Sequence, residues 1–260
     1  MKIGVFDSGL GGLTIVKSII DNIKGSEIFY IADTKNAPYG DKTPSQILEY
    51  SRNITQHLIN NHNIDILILA CNTATAHSID DLRKSYPSII IIGTEPGIKP
   101  AIKNTITGKI GVLATSATLE GLKYQNLIHK LTLDKNVVIY EQSCPGLVEQ
   151  IEKGDINNPY TNKLLESWLL PMRDNNVDTI VLGCTHYPLV SSNIKSIMNN
   201  NVSLIHTGNA ISNHLFQLSS SLGHINIGDI NTNIFTTGDI NTNIIYHIFN
   251  DILPIKKIVI

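Results

Sequence analysis

Asp65-Ile-Leu-Ile-Leu-Ala-Cys71-Asn-Thr recurs later in the chain as Asp178-Thr-Ile-Val-Leu-Gly-Cys184-Thr-His. Each copy reads as an Asp, an apolar strand, a small residue, a Cys, and then Thr or Asn. A second pair lies upstream, Lys2-Ile-Gly-Val-Phe-Asp7-Ser8 against Lys109-Ile-Gly-Val-Leu-Ala-Thr115, at nearly the same offset. Two matched strand openings indicate an internally duplicated protein with one Cys per half. Two thiols on related elements are then placed to face one bound molecule from opposite sides.

Working outward, apolar runs of strand length recur at 3–6, 28–31, 66–70, 89–92, 110–113, 137–140, 180–182 and 202–205. They are Ile/Val-rich and apolar on both faces, as strands covered on each side by helices should be. Helical patterns at 43–60, 119–130 and 162–175 fall between them, and alternating strand and helix implies parallel sheets. The fold class expected is α/β, with two pseudo-symmetric doubly wound parallel-sheet domains and the active site in the cleft between them. Gly93 to Pro100 breaks the pattern, as does the region of Gly208. Domain A is read as residues 1–94 plus 208–260, the last segment returning to the first half, and domain B as residues 95–207. That last segment opens as a helix, passes through Asn/Thr/Gly-rich stretches and ends in an apolar run from Ile244 to Leu253. Its repeated Gly-Asp-Ile-Asn-Thr-Asn at 228–233 and 238–243 reads as composition bias or loop drift.

The 260 residues are 42% hydrophobic, enough for a sizeable core. A formal charge of -2 gives no basic field for a nucleic-acid backbone. Asp7 stands where a signal peptide would continue its apolar run, and no apolar stretch approaches the roughly 20 residues of a membrane helix. A soluble, cytoplasmic protein is expected, with no nucleic-acid or membrane partner; a homodimer is the commonest closed assembly. Three cysteines do not make a disulfide framework. Cys184-Thr-His186 without a CxxC falls short of a zinc site, so no metal is expected.

In open parallel sheets, ligands collect beyond the carboxyl ends of the strands. Asp7-Ser8, Asp33, Cys71-Asn72-Thr73, Thr115 and Cys184-Thr185-His186 all follow an apolar run directly. Asp7-Ser-Gly-Leu-Gly-Gly12 reads as a turn into a helix whose free N–H groups suit a carboxylate or phosphate. A free Cys is more often a small buried hydrophobe than a nucleophile. Cys144, which has no copy in the duplication and precedes Pro145, is read that way. Cys71 and Cys184 differ because each sits beside polar residues at a strand end. A thiol at a helix N-terminus has its pKa lowered from about 8.5 toward neutrality, so one can be thiolate while the other keeps its proton. Such a pair suits removal of a proton from one face of a carbon and return of one to the other. His186 is placed to orient or accept the Cys184 proton. Asp7, Asp33 and Glu152 are candidate supporting acids, and Tyr39-Gly40 a turn projecting backbone donors into the cleft.

These residues resemble the cofactor-independent glutamate racemases within the aspartate/glutamate racemase group. The matching strings are Gly4-Val-Phe-Asp-Ser-Gly-Leu-Gly-Gly12, Ala32-Asp-Thr through Ala37-Pro-Tyr-Gly40, Ala70-Cys-Asn-Thr-Ala74 and Gly183-Cys-Thr-His-Tyr-Pro-Leu189. The resemblance implies interconversion of L- and D-glutamate without pyridoxal phosphate or another cofactor, supplying D-glutamate for peptidoglycan. It makes Cys71 and Cys184 the catalytic thiols, assisted by Asp7, Asp33, Glu152 and His186. It gives substrate binding to Asp7, Ser8, Tyr39, Gly40, Asn72, Thr73, Thr115, Thr118, Thr185 and His186. Two departures stand out: Glu149 occupies the place of a usual proline, three residues before Glu152, and a Gly common before Thr118 is missing. Met1 sits almost directly before the first strand, so activation through an N-terminal extension is not expected. The alternatives are an aspartate racemase, a non-catalytic binding protein of the kind that contacts DNA gyrase, and a single-Cys hydrolase, which leaves the second Cys unexplained.

Overall fold

Ile3 and Val5 point to one side of the first strand and Phe6 to the other, and all three are fully buried. That two-sided burial is the pattern of a sheet with helices on both faces. The structure is a computed structural model describing residues 1–133, 135–251 and 253–260. In chain order the strands are β1 (Lys2–Asp7), β2 (Glu27–Ala32), β3 (Ile66–Leu69), β4 (Ile90–Gly93), β5 (Lys109–Ala114), β6 (Val138–Ser143), β7 (Thr179–Leu182), β8 (Ser203–Ile205), β9 (Asn231–Thr236) and β10 (Ile255–Lys257). They form two sheets, ordered β10-β9-β2-β1-β3-β4 and β6-β5-β7-β8. Every described strand pair is parallel.

The helices are α1 (Leu13–Asn22), α2 (Pro44–His62), α3 (Asn72–Ser85), α4 (Ile98–Asn104), α5 (Ser116–Leu119), α6 (Leu122–Thr132), α7 (Leu147–Glu152), α8 (Pro159–Asp174), α9 (Ser191–Ile197), α10 (Gly208–Ser221) and α11 (Asn243–Phe249). Their ends follow from local chemistry. Thr43 and Gln46 form a reciprocal capping box ahead of α2, with Pro44 in its first turn, and the helix stops at Asn63 in the left-handed region at φ 52°. α10 packs on α1, where Asn22 Nδ2 donates to Ser212 Oγ at 2.8 Å and Ser212 Oγ donates to Ser18 O at 2.7 Å. The chain after Gly208 thus lies against the first sheet, and β9 pairs with β2 from Glu27↔Asn231 to Ala32↔Thr236.

All eight apolar runs read from the sequence are strands here, while β9 and β10 were not foreseen. Of the two Gly-Asp-Ile-Asn-Thr-Asn copies, the first enters β9 from residue 231 and the second ends on the first residue of α11. The run from Ile244 to Leu253 holds all of α11 but its first residue; Ile252 lies outside the described residues.

The duplication is visible in hydrogen-bond register. Asp33 N–H donates to Asp7 O at 2.9 Å, and Cys144 N–H donates to Ala114 O at 3.0 Å. Ala70 N–H donates to Phe6 O at 2.9 Å, and Gly183 N–H to Leu113 O at 2.7 Å. Cys71 and Cys184 therefore occupy equivalent strand ends. Cys144 does have a counterpart, in space rather than in residue type: it stands where Asp33 stands.

Candidate active site

The strand-end residues of the two sheets meet. Thr185 Oγ1 donates to Asp7 Oδ2 across the cleft at 3.0 Å, and Thr14 Oγ1 lies 3.2 Å from Thr185 O. On the far side, the hydroxyls of Thr73, Thr115 and Thr118 form a triangle, with Oγ1 separations of 3.0, 3.3 and 2.9 Å. The 3-10 turn Tyr39–Asp41 sets Gly40 against this triangle, where a Cβ would come within 3.2 Å of Thr115. Thr73 opens α3 after β3 of the first sheet, while Thr115 caps α5 and Thr118 lies in it, after β5 of the second, so the triangle is a seam closed by hydroxyls. Asn72 is buried beside it, and neither side-chain polar atom has a protein partner.

Each thiol has an apolar wall behind it and polar groups before it. Cys71 is 6% exposed and Cys184 9%, and each belongs to the hydrophobic cluster of its own sheet. Cys71 Sγ nevertheless lies 3.7 Å from Ser8 Oγ and accepts from Ala74 N–H at 3.4 Å. Cys184 Sγ lies 3.7 Å from His186 Nδ1, whose Nε2 is 2.5 Å from Glu152 Oε1. The Cys184 side thus carries a line of sulfur, imidazole and carboxylate along which a proton can move.

The glycine-rich turn does hold a carboxylate, but the protein's own. Leu10 N–H donates to Glu152 Oε1 at 2.6 Å, and Gly11 N lies 3.2 Å from His186 Nε2. The expectation that these donors are free for an external anion is therefore corrected: Glu152 of α7 takes the site at the mouth of α1. A Cβ on Gly9 would meet Glu152 Oε1 at 2.1 Å, and one on Gly11 would meet the His186 ring at 2.5 Å. Gly11→Ala is expected to destabilise the fold by about 1–3 kcal/mol through overpacking and to displace His186 from Cys184. Thermal denaturation and turnover, measured together, check this.

Burial, reinforced by the Asp7 charge, pushes the Cys71 thiol up to about 12, against the pull of Ala74 N–H and Ser8. This corrects the expectation that a helix N-terminus lowers it: Cys71 is the N-cap of α3, and desolvation wins over the cap. Burial also raises Asp7, despite His186 and the bonds from Gly9 and Thr185. At His186 burial opposes the charged ring, but the contacts with Cys184 and Glu152 prevail and hold it well above the ordinary 6.5. Burial likewise opposes a charged Glu152, yet the His186 bond and charge, with Leu10 N–H, keep its carboxyl below the ordinary 4.5. Of the two glutamates weighed from the sequence, Glu152 faces the thiols' surroundings. Glu149 lines a cavity of about 430 Å³ with Thr34, Ala37 and Asn241, against which Glu152 shows its outer side.

Asp33 sits further back, 2% exposed, and its carboxylate accepts from Tyr39 Oη at 2.7 Å and from Asn36 Nδ2 at 3.0 and 3.1 Å. Two supports went unread in the sequence. Thr237 Oγ1 donates to Asp33 Oδ1 at 2.7 Å, and Tyr30 Oη donates to Gly9 O at 2.6 Å, fixing the glycine turn. Thr237 follows β9 directly and so obeys the strand-end rule; Tyr30 lies mid-strand and gives no such signal. Cys144 is buried as expected, its thiol 3.6 Å from Gln142 O.

The model of the Asp/Glu/Hydantoin racemase family matches residues 3–215. A glutamate racemase of Sulfurovum sp. is 57% identical over 95% of this chain and 94% of its own. A glutamate racemase isoform from Bacillus anthracis superposes with a TM-score of 0.84 at 31% identity, covering 99% of this chain and 96% of that one. The glutamate racemase of Francisella tularensis in complex with D-glutamate gives 0.84 at 28% identity, covering 100% and 97%. With paired thiols at equivalent strand ends over this fold, the chain belongs to the Asp/Glu/Hydantoin racemase family and is an amino-acid racemase of its glutamate racemase group.

Proposed function

We propose that the chain interconverts L- and D-glutamate by a two-base mechanism in which Cys71 and Cys184 address opposite faces of the α-carbon, without a cofactor. The observation that carries this is the equivalence of the two cysteines at the ends of β3 and β7, Cys71 facing the Ser8 hydroxyl and Cys184 facing the His186 ring. Asp7 serves the Cys71 side, and His186 with Glu152 serves the Cys184 side. Residues 1–94 plus 208–260 form one lobe and residues 95–207 the other.

Proton bookkeeping is symmetric. One sulfur, as thiolate, takes the α-proton and becomes a thiol; the opposite thiol gives its proton to the other face of the carbanion and becomes a thiolate. Exchange through Asp7 or His186 resets the pair. An α-proton is far less acidic than a thiol, so the pocket must stabilise the carbanion. Backbone donors at Ser8, Gly40 and Thr73, with the Thr73, Thr115 and Thr118 hydroxyls, are placed to hold the substrate carboxylates, and the unpaired Asn72 amide offers a further contact. A dry, preorganised site strengthens each of these. The α-ammonium of an entering amino acid also offsets the desolvation that keeps Cys71 protonated. Because cross-lobe bonds such as Thr185 to Asp7 close the cleft, the lobes must part to admit substrate. We further place the enzyme in the cytoplasm, as a homodimer, supplying D-glutamate for peptidoglycan.

The test is incubation with L-glutamate in deuterated water. Optical rotation should decay to zero while deuterium appears at the α-carbon, with glutamate turned over in preference to aspartate. Loss of rotation without α-exchange would exclude proton transfer as the route.

A further inference from the structure

Thr237 closes a set of contacts that reaches the substrate turn from the far end of the chain. Its N–H donates to Ala32 O at 3.0 Å, which seats it beside the end of β2. Its Oγ1 donates to Asp33 Oδ1 at 2.7 Å and accepts from Lys35 N–H at 3.1 Å. Gly238 N–H donates to Thr34 Oγ1 at 2.9 Å, so residues 237 and 238 grip three consecutive residues of the turn. Asp33 passes the constraint on: its other oxygen accepts from Tyr39 Oη at 2.7 Å, and Tyr39 is fully packed next to Gly40. No hydrogen bond joins Asp33 to Cys71 among those described.

The second sheet supplies a control. Cys144 occupies the position equivalent to Asp33, but β6 is the edge strand of its sheet, whereas β2 is flanked by β9. A buried carboxylate is costly unless its oxygens are hydrogen-bonded. Only the half with an added strand supplies the hydroxyl, and only that half has an Asp at this position.

We propose that Thr237 is a positioning residue for substrate binding: through Asp33 and Tyr39 it fixes Gly40 against the Thr73–Thr115–Thr118 hydroxyls. The proposal rests on the reading that the Tyr39-Gly40 turn holds a substrate carboxylate. It makes the C-terminal return part of the site rather than packing alone, and it gives Asp33 the role of a strut.

The experiment compares wild type with Thr237→Val, Thr237→Ser and Tyr39→Phe in full-length enzyme. The Val variant should raise KM for glutamate roughly tenfold, the scale of one lost hydrogen bond to a charged group, with kcat changed less than about threefold. The Ser variant should restore wild-type KM. In a Tyr39→Phe background the Val substitution should add little, because the strut is already detached from the turn. Unchanged KM, a loss confined to kcat, or an undiminished penalty beside Tyr39→Phe would each overturn the proposal. Amide exchange of residues 35–40 is read in parallel: it should accelerate in the Val variant and not in the Ser variant, and equal protection would overturn the proposal. Because that readout needs no turnover, it separates failure of the strut from failure of the glutamate assignment. Should the Val variant not fold, Thr237→Ala takes its place.

Discussion

Alanine in place of Cys71 or Cys184 should lower glutamate racemisation by about 10²–10⁴-fold in each case, the range expected for loss of a positioned acid or base. The fold should survive, since each substitution removes about one methylene's worth of buried contact, on the order of 1 kcal/mol. Racemisation followed by optical rotation, with circular dichroism for folding, reads both effects. Serine variants refine the test. The two enantiomers have equal free energy in water, so kcat/KM must fall equally in both directions for any variant. What distinguishes the thiols is the primary isotope effect with α-deuterated substrate. Weakening one sulfur makes abstraction rate-limiting for the enantiomer it deprotonates, and proton return rate-limiting for the other. Cys71→Ser and Cys184→Ser should therefore show opposite enantiomer preferences in isotope effect. The same preference in both would mean that the sulfurs do not divide the two faces.

The charge pairing of His186 with Glu152 should contribute a large share of the stability of the buried contact these two residues make with the Leu10–Gly11 turn. Glu152→Gln strips the charge that a fully buried imidazolium faces, and breaking one partner of a buried pair costs about 3–5 kcal/mol, on the order of 10 °C in Tm for a chain this size. The sign with pH follows from the two shifts. His186 is raised in the fold, so its contribution is complete below the ordinary 6.5 and is lost as pH rises through its higher folded value. Glu152 is depressed, so its contribution is complete above the ordinary 4.5 and is lost as pH falls through its lower folded value. The Tm gap between wild type and Glu152→Gln should be widest between those two ordinary values and should narrow in strong alkali. A gap independent of pH would mean that the pair is held by shape and not by charge. Activity should fall as well, because Leu10 N–H and the glycine turn lose their anionic partner.

Local pattern carried most of the architecture. Ile66 to Ala70 and Thr179 to Leu182 are apolar runs of strand length, and their shared ending in Cys revealed the duplication and singled out the two thiols proposed to react. The strand β9 was hidden because Asn231-Thr-Asn precedes only two apolar residues, and asparagine disfavours strands; pairing with β2 overrides that preference. The polar machinery was legible as residue types but not as partnerships. Asp7 with Thr185, and Leu10 with Glu152, join residues far apart in sequence, so no spacing rule reaches them. The Cys71 pKa failed for a related reason. A helix N-cap is a local feature, whereas desolvation depends on everything packed around the sulfur. Cys144 looked unmatched because register, and not residue identity, pairs it with Asp33.

The most direct check is a crystal structure of the chain with glutamate bound. The two-thiol account predicts Sγ of Cys71 and Sγ of Cys184 on opposite faces of the α-carbon, each at roughly 3.5 Å, a near-attack distance. Both sulfurs on one face, or either one cut off from the ligand by intervening side chains, would contradict it.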